Sequence, residues 1–305
     1  MRREARAVIA RTWRPLVRST ALMLAPLLGL VCSAMAASAA GLQSELVARG
    51  DYLVNGILIC GNCHTRRGPS GEILAPQEVG DTALSGGQTW DEAAFKVTAP
   101  NITQDKDTGI GNYTDAELRQ VLRKGIKRNG AQVAVMPSGF YEIMTEHDLD
   151  AVIAYLRTLK PVSNAVPAPI YKTAQQHEIP PGGETPYTDA MLNDKIARGF
   201  YLATVGLCME CHTPWQPQAF ADRLGAGGNE FHGPWGVSVS RNITASKTKG
   251  IGDWTDDEIK RAITQGIARD SSKLKPPMSF QYYANVSAAD LDAIVAYLRT
   301  VPPRE

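Results

Sequence analysis

The motif Cys-x-x-Cys-His occurs twice in this chain, at Cys60–His64 and at Cys208–His212. Two thiols three positions apart can both bond to one edge of a porphyrin, and the histidine that follows then lies under the iron. One copy in a long chain could arise by chance or act as a redox dithiol. Two copies predict two covalently bound haem c groups, with thioether bonds from Cys60, Cys63, Cys208 and Cys211 and iron ligands from His64 and His212.

Two other uses of the four thiols stay open at this point. The cysteines could form one all-thiolate zinc site if the two motifs meet in the fold. That arrangement leaves both trailing histidines without a role. Two disulfides, one within each motif, would suit an oxidising compartment, but they would join residues that are already close in the chain and would stabilise little.

The N-terminal forty residues have the pattern of a secretory signal peptide. A segment rich in arginine precedes an apolar run over Ala21–Ala36, and small residues then offer cleavage sites, so the mature chain is expected to begin between Ala37 and Gly41. An uncleaved membrane anchor is the alternative, although this run is short for a span and contains Pro26. The pattern predicts export to the periplasm.

Loss of residues 1–40 would remove six arginines and one glutamate, which changes the net charge from +1 to −4. A mildly acidic chain gives no indication of nucleic-acid binding. Basic residues follow the first motif, and more of them lie later in the first half of the chain. Together they form either a docking patch or an ordinary solvated helix face, and we favour the solvated face. These residues are Arg66, Arg67, Arg123, Lys124, Lys127 and Arg128.

An internal repeat covers most of the chain behind the leader. The segment Ala48–Leu53 corresponds to Ala197–Leu202, and the triplets Asn-Ile-Thr and Gly-Ile-Gly occur once in each copy. The closing segments, which end at Thr158 and Thr300, are nearly identical. The offset shortens from 149 residues to 141–142, but the order of the segments never changes. The sequence therefore predicts a tandem duplication.

Helix signals fall at equivalent places in the two copies. The capping signals are Thr114-x-x-Glu117, Thr145-x-x-Asp148, Thr255-x-x-Glu258 and Ser287-x-x-Asp290. Apolar residues follow each signal at helical spacing, and no segment has a convincing strand pattern. The sequence thus predicts an all-α fold of two tandem domains, residues 41–160 and 188–305. A proline-rich, semi-extended linker over 161–187 joins them.

Each copy resembles a class I cytochrome c domain, in which an N-terminal helix runs into the motif and a C-terminal helix crosses that helix. The resemblance implies a close crossing at Gly50 and Gly199, against Tyr155 and Tyr297. The triplets and the closing Ala-Tyr-Leu-Arg-Thr are similar to the cytochrome c subunits of bacterial periplasmic dehydrogenases for alcohols, gluconate and aldehydes. The alcohol and gluconate dehydrogenase subunits have three haem motifs where this chain has two.

A sixth iron ligand is expected well downstream of each motif. Met136 follows His64 by 72 residues and Met278 follows His212 by 66, and the two methionines are equivalent in the repeat. Prolines beside both would stiffen a ligand loop. We therefore expect both as axial ligands, with Met144 as the fallback in the first copy. His/Met ligation raises the reduction potential of a haem.

The expected function is single-electron transfer without substrate chemistry. The resemblance implies a periplasmic dehydrogenase subunit as donor and a cytochrome or terminal oxidase as acceptor. It also implies association with the periplasmic face of the inner membrane through a partner. The alternative is a dihaem cytochrome c peroxidase, which needs an iron that can open and a distal histidine. No histidine lies between His64 and His147, and both copies offer a methionine at the same place.

Overall fold

The computed structural model describes residues 40–133, 135–173 and 177–305. Residues Ser44–Glu305 form one compact unit. The expected signal peptide lies outside the described residues, apart from Ala40. Within the described part of the chain, no helix combines the length and apolar character needed to cross a membrane.

The two copies of the repeat fold into corresponding series of helices. In the first repeat, residues 41–160, the helices are α1 over residues 40–52 with a π-helical turn at Leu53–Ile57, α2 Cys60–His64, α3 Pro76–Val79, α4 Asp115–Lys124 and α5 Glu146–Thr158. In the second repeat, residues 188–305, they are α6 Lys195–Val205, α7 Cys208–His212, α8 Ala219–Asp222, α9 Asp256–Gln265, α10 Phe280–Tyr283 and α11 Ala288–Leu298. Short 3-10 helices lie at Gly80–Thr82, Ser138–Tyr141 and Asp189–Asn193.

The predicted caps begin the predicted helices. Thr114 and Thr255 each accept a hydrogen bond from the backbone N–H three residues later, and the glutamate at that position bonds back, which completes a capping box. Thr145 and Ser287 cap α5 and α11 in the same way with their hydroxyl oxygens. These pairings satisfy backbone donors that the first turn of a helix leaves free.

The chain is helix-rich, as expected for the predicted all-α fold, but the expectation that it contains no strands is wrong. Strands β1 Thr89–Asp91, β2 Phe95–Thr98 and β3 Ile170–Tyr171 form one antiparallel sheet in the order β1-β2-β3. Strands β4 Glu230–Gly233 and β5 Gly236–Val239 form a hairpin. These strands have two to four residues, too few to show the alternating pattern by which strands are recognised in a sequence.

The segment 161–187, predicted as a linker, contributes β3 and contacts the first repeat. Asn101 Nδ2 donates to the carbonyl oxygen of Val162 at 2.6 Å, and the N–H of Tyr187 donates to that of Ile143 at 2.8 Å. The ring of Tyr187 also stacks on Tyr201, with 6.0 Å between the centroids. This connection is therefore attached to the folded unit at several points.

The close helix crossing implied at two glycines is confirmed. A Cβ atom on Gly50 would overlap the carbonyl oxygen of Ala151 and lie 2.6 Å from Cβ of Tyr155. A Cβ atom on Gly199 would overlap the carbonyl oxygen of Ala293 and lie 2.7 Å from Cβ of Tyr297. Only glycine lets the backbones of the first and last helices of each repeat approach so closely.

Reciprocal tyrosine–aspartate bonds join the two repeats. Tyr52 Oη of the first repeat donates to Asp290 Oδ2 of the second at 2.5 Å, and Tyr201 Oη donates to Asp148 Oδ2 at 2.7 Å. Each buried aspartate also forms an ion pair with an arginine of its own repeat. These ion pairs are Arg49 with Asp148 at 2.8 Å and Arg198 with Asp290 at 2.5 Å. Buried carboxylates need such partners to offset the loss of water.

Tyr201 should make the stability of the protein sensitive to alkaline pH. Burial, together with the negative charge of Asp148, raises the pKa of Tyr201 well above its ordinary value. The neutral phenol is therefore favoured in the folded state, and its contribution is present below pH 10 and lost as pH rises further. Tyr201→Phe should lower the free energy of unfolding by about 2 kcal/mol at pH 7, because a hydrogen bond to a charged group is lost. The difference from wild type should shrink above pH 10, as measured by urea unfolding followed by circular dichroism.

Tyr52→Phe is the matched control, because its hydroxyl makes the equivalent bond to Asp290 but is only partly buried. Its effect at pH 7 should be smaller and its dependence on pH weaker. Equal losses for Tyr201→Phe at pH 7 and pH 11 would contradict the assignment.

Candidate haem-binding sites

Each Cys-x-x-Cys-His motif forms a single helical turn at the same place in its repeat, as α2 and α7. Residues three and four apart on a helix share one face, so both cysteines and the histidine of a motif lie on one side. The residue before each turn adopts the left-handed conformation, with φ of 46° at Ile59 and 60° at Leu207. That conformation is unfavourable for a branched side chain. Its recurrence in both repeats indicates a constraint on how the chain enters the motif.

The two alternative uses of the cysteines find no support in this structure. Cys60, Cys63, Cys208 and Cys211 are all free thiols and are partly buried. Among the described residues, no group of three or more histidine, cysteine or acidic side chains could hold a metal ion. The four cysteines therefore form neither intra-motif disulfides nor a zinc cluster here.

The thiols are in an environment that keeps them protonated until they react. Burial raises the pKa of Cys60 and of Cys208 to about 12 and that of Cys63 to about 11. Burial also raises the pKa of Cys211 well above the ordinary value. A neutral sulfur suits a thioether, which carries no charge.

In each motif histidine, the ring nitrogen Nδ1 is within hydrogen-bond distance of a backbone carbonyl oxygen. His64 Nδ1 lies 2.8 Å from the carbonyl oxygen of Pro100, and His212 Nδ1 lies 2.6 Å from that of Arg241. A carbonyl oxygen only accepts, so Nδ1 carries the proton and Nε2 keeps its lone pair. Burial lowers the pKa of both rings, which favours this neutral form. A neutral imidazole with Nδ1–H on a backbone carbonyl is the usual arrangement of a metal-ligating histidine.

The predicted methionines occupy equivalent positions beside the core. Met136 and Met278 are partly buried and pack against the apolar cluster that also contacts Cys60 and Cys208. Each methionine lies shortly before a helical turn, Ser138–Tyr141 in the first repeat and α10 in the second. Met144, the fallback, is 1% exposed and belongs to the core itself. This position favours the packing role of Met144.

The two motifs lie close to each other across the contact between the repeats. A Cβ atom on Gly61 would lie 2.8 Å from Cζ of Tyr282, a residue of the second repeat. Glu210 of the second motif raises the pKa of Cys63 in the first, after the larger effect of burial. Cys63 in turn contributes to the raised pKa of Cys211. No pattern in the sequence indicates this proximity, because it arises from the packing of one repeat on the other.

Arg67 is a second feature that the sequence analysis missed, since we grouped it with surface basic residues. Its Nε donates to Gln88 Oε1 at 2.8 Å, but its Nη1 is buried and has no hydrogen-bond partner. Burial lowers its pKa, and Cys63 is among the groups that act on it. An unpartnered buried guanidinium nitrogen can donate to an acceptor on a bound group, such as a carboxylate. The residues present are thus compatible with a bound haem.

Comparison with known proteins extends this description. No protein-family profile matches the chain. The fructose dehydrogenase cytochrome subunit of Gluconobacter japonicus is 32% identical over 85% of this chain and 53% of its own length. The cytochrome c subunit of the quinone alcohol dehydrogenase of Gluconobacter oxydans is 29% identical over 88% of this chain and 57% of its own length. The chain therefore spans little more than half the length of these two relatives.

A third relative matches over most of its length. A dihaem c-type cytochrome of Cereibacter sphaeroides is 30% identical over 81% of this chain and 83% of its own length. The two motifs, their free thiols and their oriented histidines define a c-type cytochrome. Together with this match, they show that the chain belongs to the dihaem cytochromes c.

Proposed function

We propose that this chain is a dihaem electron carrier that serves a periplasmic dehydrogenase. Thioether bonds would form from Cys60 and Cys63 to one haem c and from Cys208 and Cys211 to the other. The axial ligands would be His64 with Met136 and His212 with Met278. The iron of each bound haem supplies the one-electron chemistry, and the chain holds it in place and fixes its ligands.

One observation carries the proposal: the same arrangement is built twice. In each repeat, a strained left-handed residue leads into one helical turn with two free thiols and a histidine whose Nδ1–H bonds to a carbonyl. Two haem-attachment sites of the same type that lie close together suit the passage of single electrons through the chain.

Six-coordinate irons favour a carrier over the peroxidase alternative. A peroxidase needs a free position at one iron, whereas both repeats present a methionine at the equivalent place. His/Met ligation also gives the high reduction potentials that suit an acceptor of electrons from a dehydrogenase.

The relatives support the choice of partner. Two of them are cytochrome subunits, one of a fructose dehydrogenase and one of a quinone alcohol dehydrogenase. We propose a subunit of such a dehydrogenase as electron donor and another cytochrome or a terminal oxidase as acceptor. The place of action would be the periplasm, at the inner membrane whenever the partner is membrane-bound. Nucleic acid has no part in this function.

Haem counting tests the attachment sites. Wild-type protein should contain two haems per chain by pyridine haemochrome, and the haem should remain on the chain in denaturing electrophoresis. Cys60→Ser or Cys208→Ser should reduce the count to about one, because a haem with one thioether bond is lost more readily. Asn62→Ala, between the two cysteines of the first motif at a position that forms no thioether bond, is the matched control and should leave two haems. A count of two in both motif variants would contradict the assignment.

A further inference from the structure

The two sheets of this protein differ at one edge. Strand β2 of the first repeat has β1 on one side and β3 on the other, whereas β5 of the second repeat has only β4. Strand β5 corresponds to β2 in the repeat, with an offset of 141 residues. Among the described residues, no strand pairs with the outer edge of β5.

The first repeat shows what this edge can bind. Strand β3 pairs with β2 in antiparallel register, with Lys96 opposite Ile170 and Phe95 opposite Tyr171. The pairing continues to a hydrogen bond from the N–H of Lys172 to the carbonyl oxygen of Ala94, at 2.8 Å. The residue of β5 that corresponds to Lys96 is Val237. The same backbone geometry therefore exists in the second repeat without its partner.

The backbone of Val237 faces outward. Its carbonyl oxygen lies 3.4 Å from Nζ of Lys275, so it points away from β4. In an antiparallel strand, the N–H and C=O of one residue point to the same side. Val237 therefore offers a donor and an acceptor to an added strand, and the alternation along the strand gives Val239 the same orientation.

The side chains along this edge indicate the chemistry of the occupant. Val237 and Val239 are 46% and 52% exposed, although valine in a strand usually packs against a neighbour. Lys275 is also exposed, and its ammonium group bonds to the Val237 carbonyl and, in the described part of the chain, to no carboxylate. An apolar strip beside an unpaired cation is complementary to an extended segment with apolar side chains and a carboxylate.

The hairpin also lies beside the second haem-attachment motif. The ring of Phe231 in β4 packs edge-on against Trp215, with 5.1 Å between centroids. Trp215 Nε1 donates to the carbonyl oxygen of Glu210, within the motif, at 3.1 Å. A protein attached to this hairpin would therefore lie near the second haem.

We propose that the outer edge of β5 binds an extended, apolar and acidic segment of the partner dehydrogenase by strand addition. This inference rests on the proposed function and assigns the second repeat as the side from which electrons enter. Main-chain hydrogen bonds would give the affinity, as in other strand-addition complexes. Lys275 would pair with the carboxylate of the added segment.

The test uses the full-length holoprotein and membranes of its source organism, supplied in turn with fructose, ethanol and gluconate. Val237→Pro removes the outward N–H and leaves the bonds to β4 intact. It should slow reduction of the haems about tenfold, because the hydrogen bond from this N–H to the added segment is lost. Val237→Thr keeps the N–H and the branched shape and should behave like wild type. Lys275→Met should slow reduction and weaken its dependence on salt.

Haem content and the spectrum of each variant, together with reduction by dithionite, should match wild type, which excludes damage to the nearby Met278 loop. Amide exchange at Val237 and Val239 should slow when the membranes are present. Equal reduction rates for wild type and Val237→Pro would overturn the inference and leave the proposed function standing. A wild-type dimer that Val237→Pro converts to monomer would assign the edge to a second copy instead. Absence of reduction of the wild type by every membrane sample would overturn the proposed function, and the inference with it.

Discussion

Gly199→Ala is expected to lower the free energy of unfolding of the second repeat by about 2 kcal/mol or more and to reduce the haem content of the protein. The added methyl group would overlap the backbone carbonyl of Ala293, so α6 and α11 must move apart. Overpacking of this kind costs about 3 kcal/mol, and this cost exceeds the gain of about 1 kcal/mol from better helix propensity. Chemical unfolding and haem counting would measure the effect.

Gly50→Ala should act in the same way on the first repeat, where Ala151 occupies the equivalent place. Lys195→Ala is the control within α6, because this side chain is exposed. It should change the free energy of unfolding by less than about 0.5 kcal/mol. If Gly199→Ala were as stable as this control, the helices would not need the close approach that the structure describes.

Met136→Ala and Met278→Ala should each open one iron to an external ligand. Wild-type protein should bind no carbon monoxide when reduced, because both irons already have six ligands. Each single variant should bind one carbon monoxide per chain, and the double variant two. The potential of the altered haem should also fall, since a methionine ligand raises it. Optical titration with carbon monoxide and potentiometry would provide both measurements.

Met144→Ala separates ligation from packing. This side chain lies within the core, so its truncation should cost about 2–5 kcal/mol of stability without opening an iron. Carbon monoxide binding by Met144→Ala and none by Met136→Ala would transfer the axial role to the fallback residue. In that case the repeat equivalence of Met136 and Met278 would have been misleading.

Local patterns in the sequence were enough for much of the fold. The two motifs, the capping signals and the paired glycines each depend on residues a few positions apart or on the comparison of one copy with the other. The capping residues begin the expected helices, and Gly50 and Gly199 lie at the expected crossings. The strands were missed because they are short and one of them, β3, lies in a segment that reads as a linker.

The sequence by itself determined that this chain carries two haem-attachment motifs on a duplicated helical unit, because covalent attachment and helix capping are encoded by short, fixed spacings. Only the tertiary structure decided how the copies meet. The Tyr52–Asp290 and Tyr201–Asp148 bonds join residues far apart in the chain, and no local pattern specifies such pairs. The buried Nη1 of Arg67 and the open edge of β5 likewise depend on which surfaces the packed repeats cover.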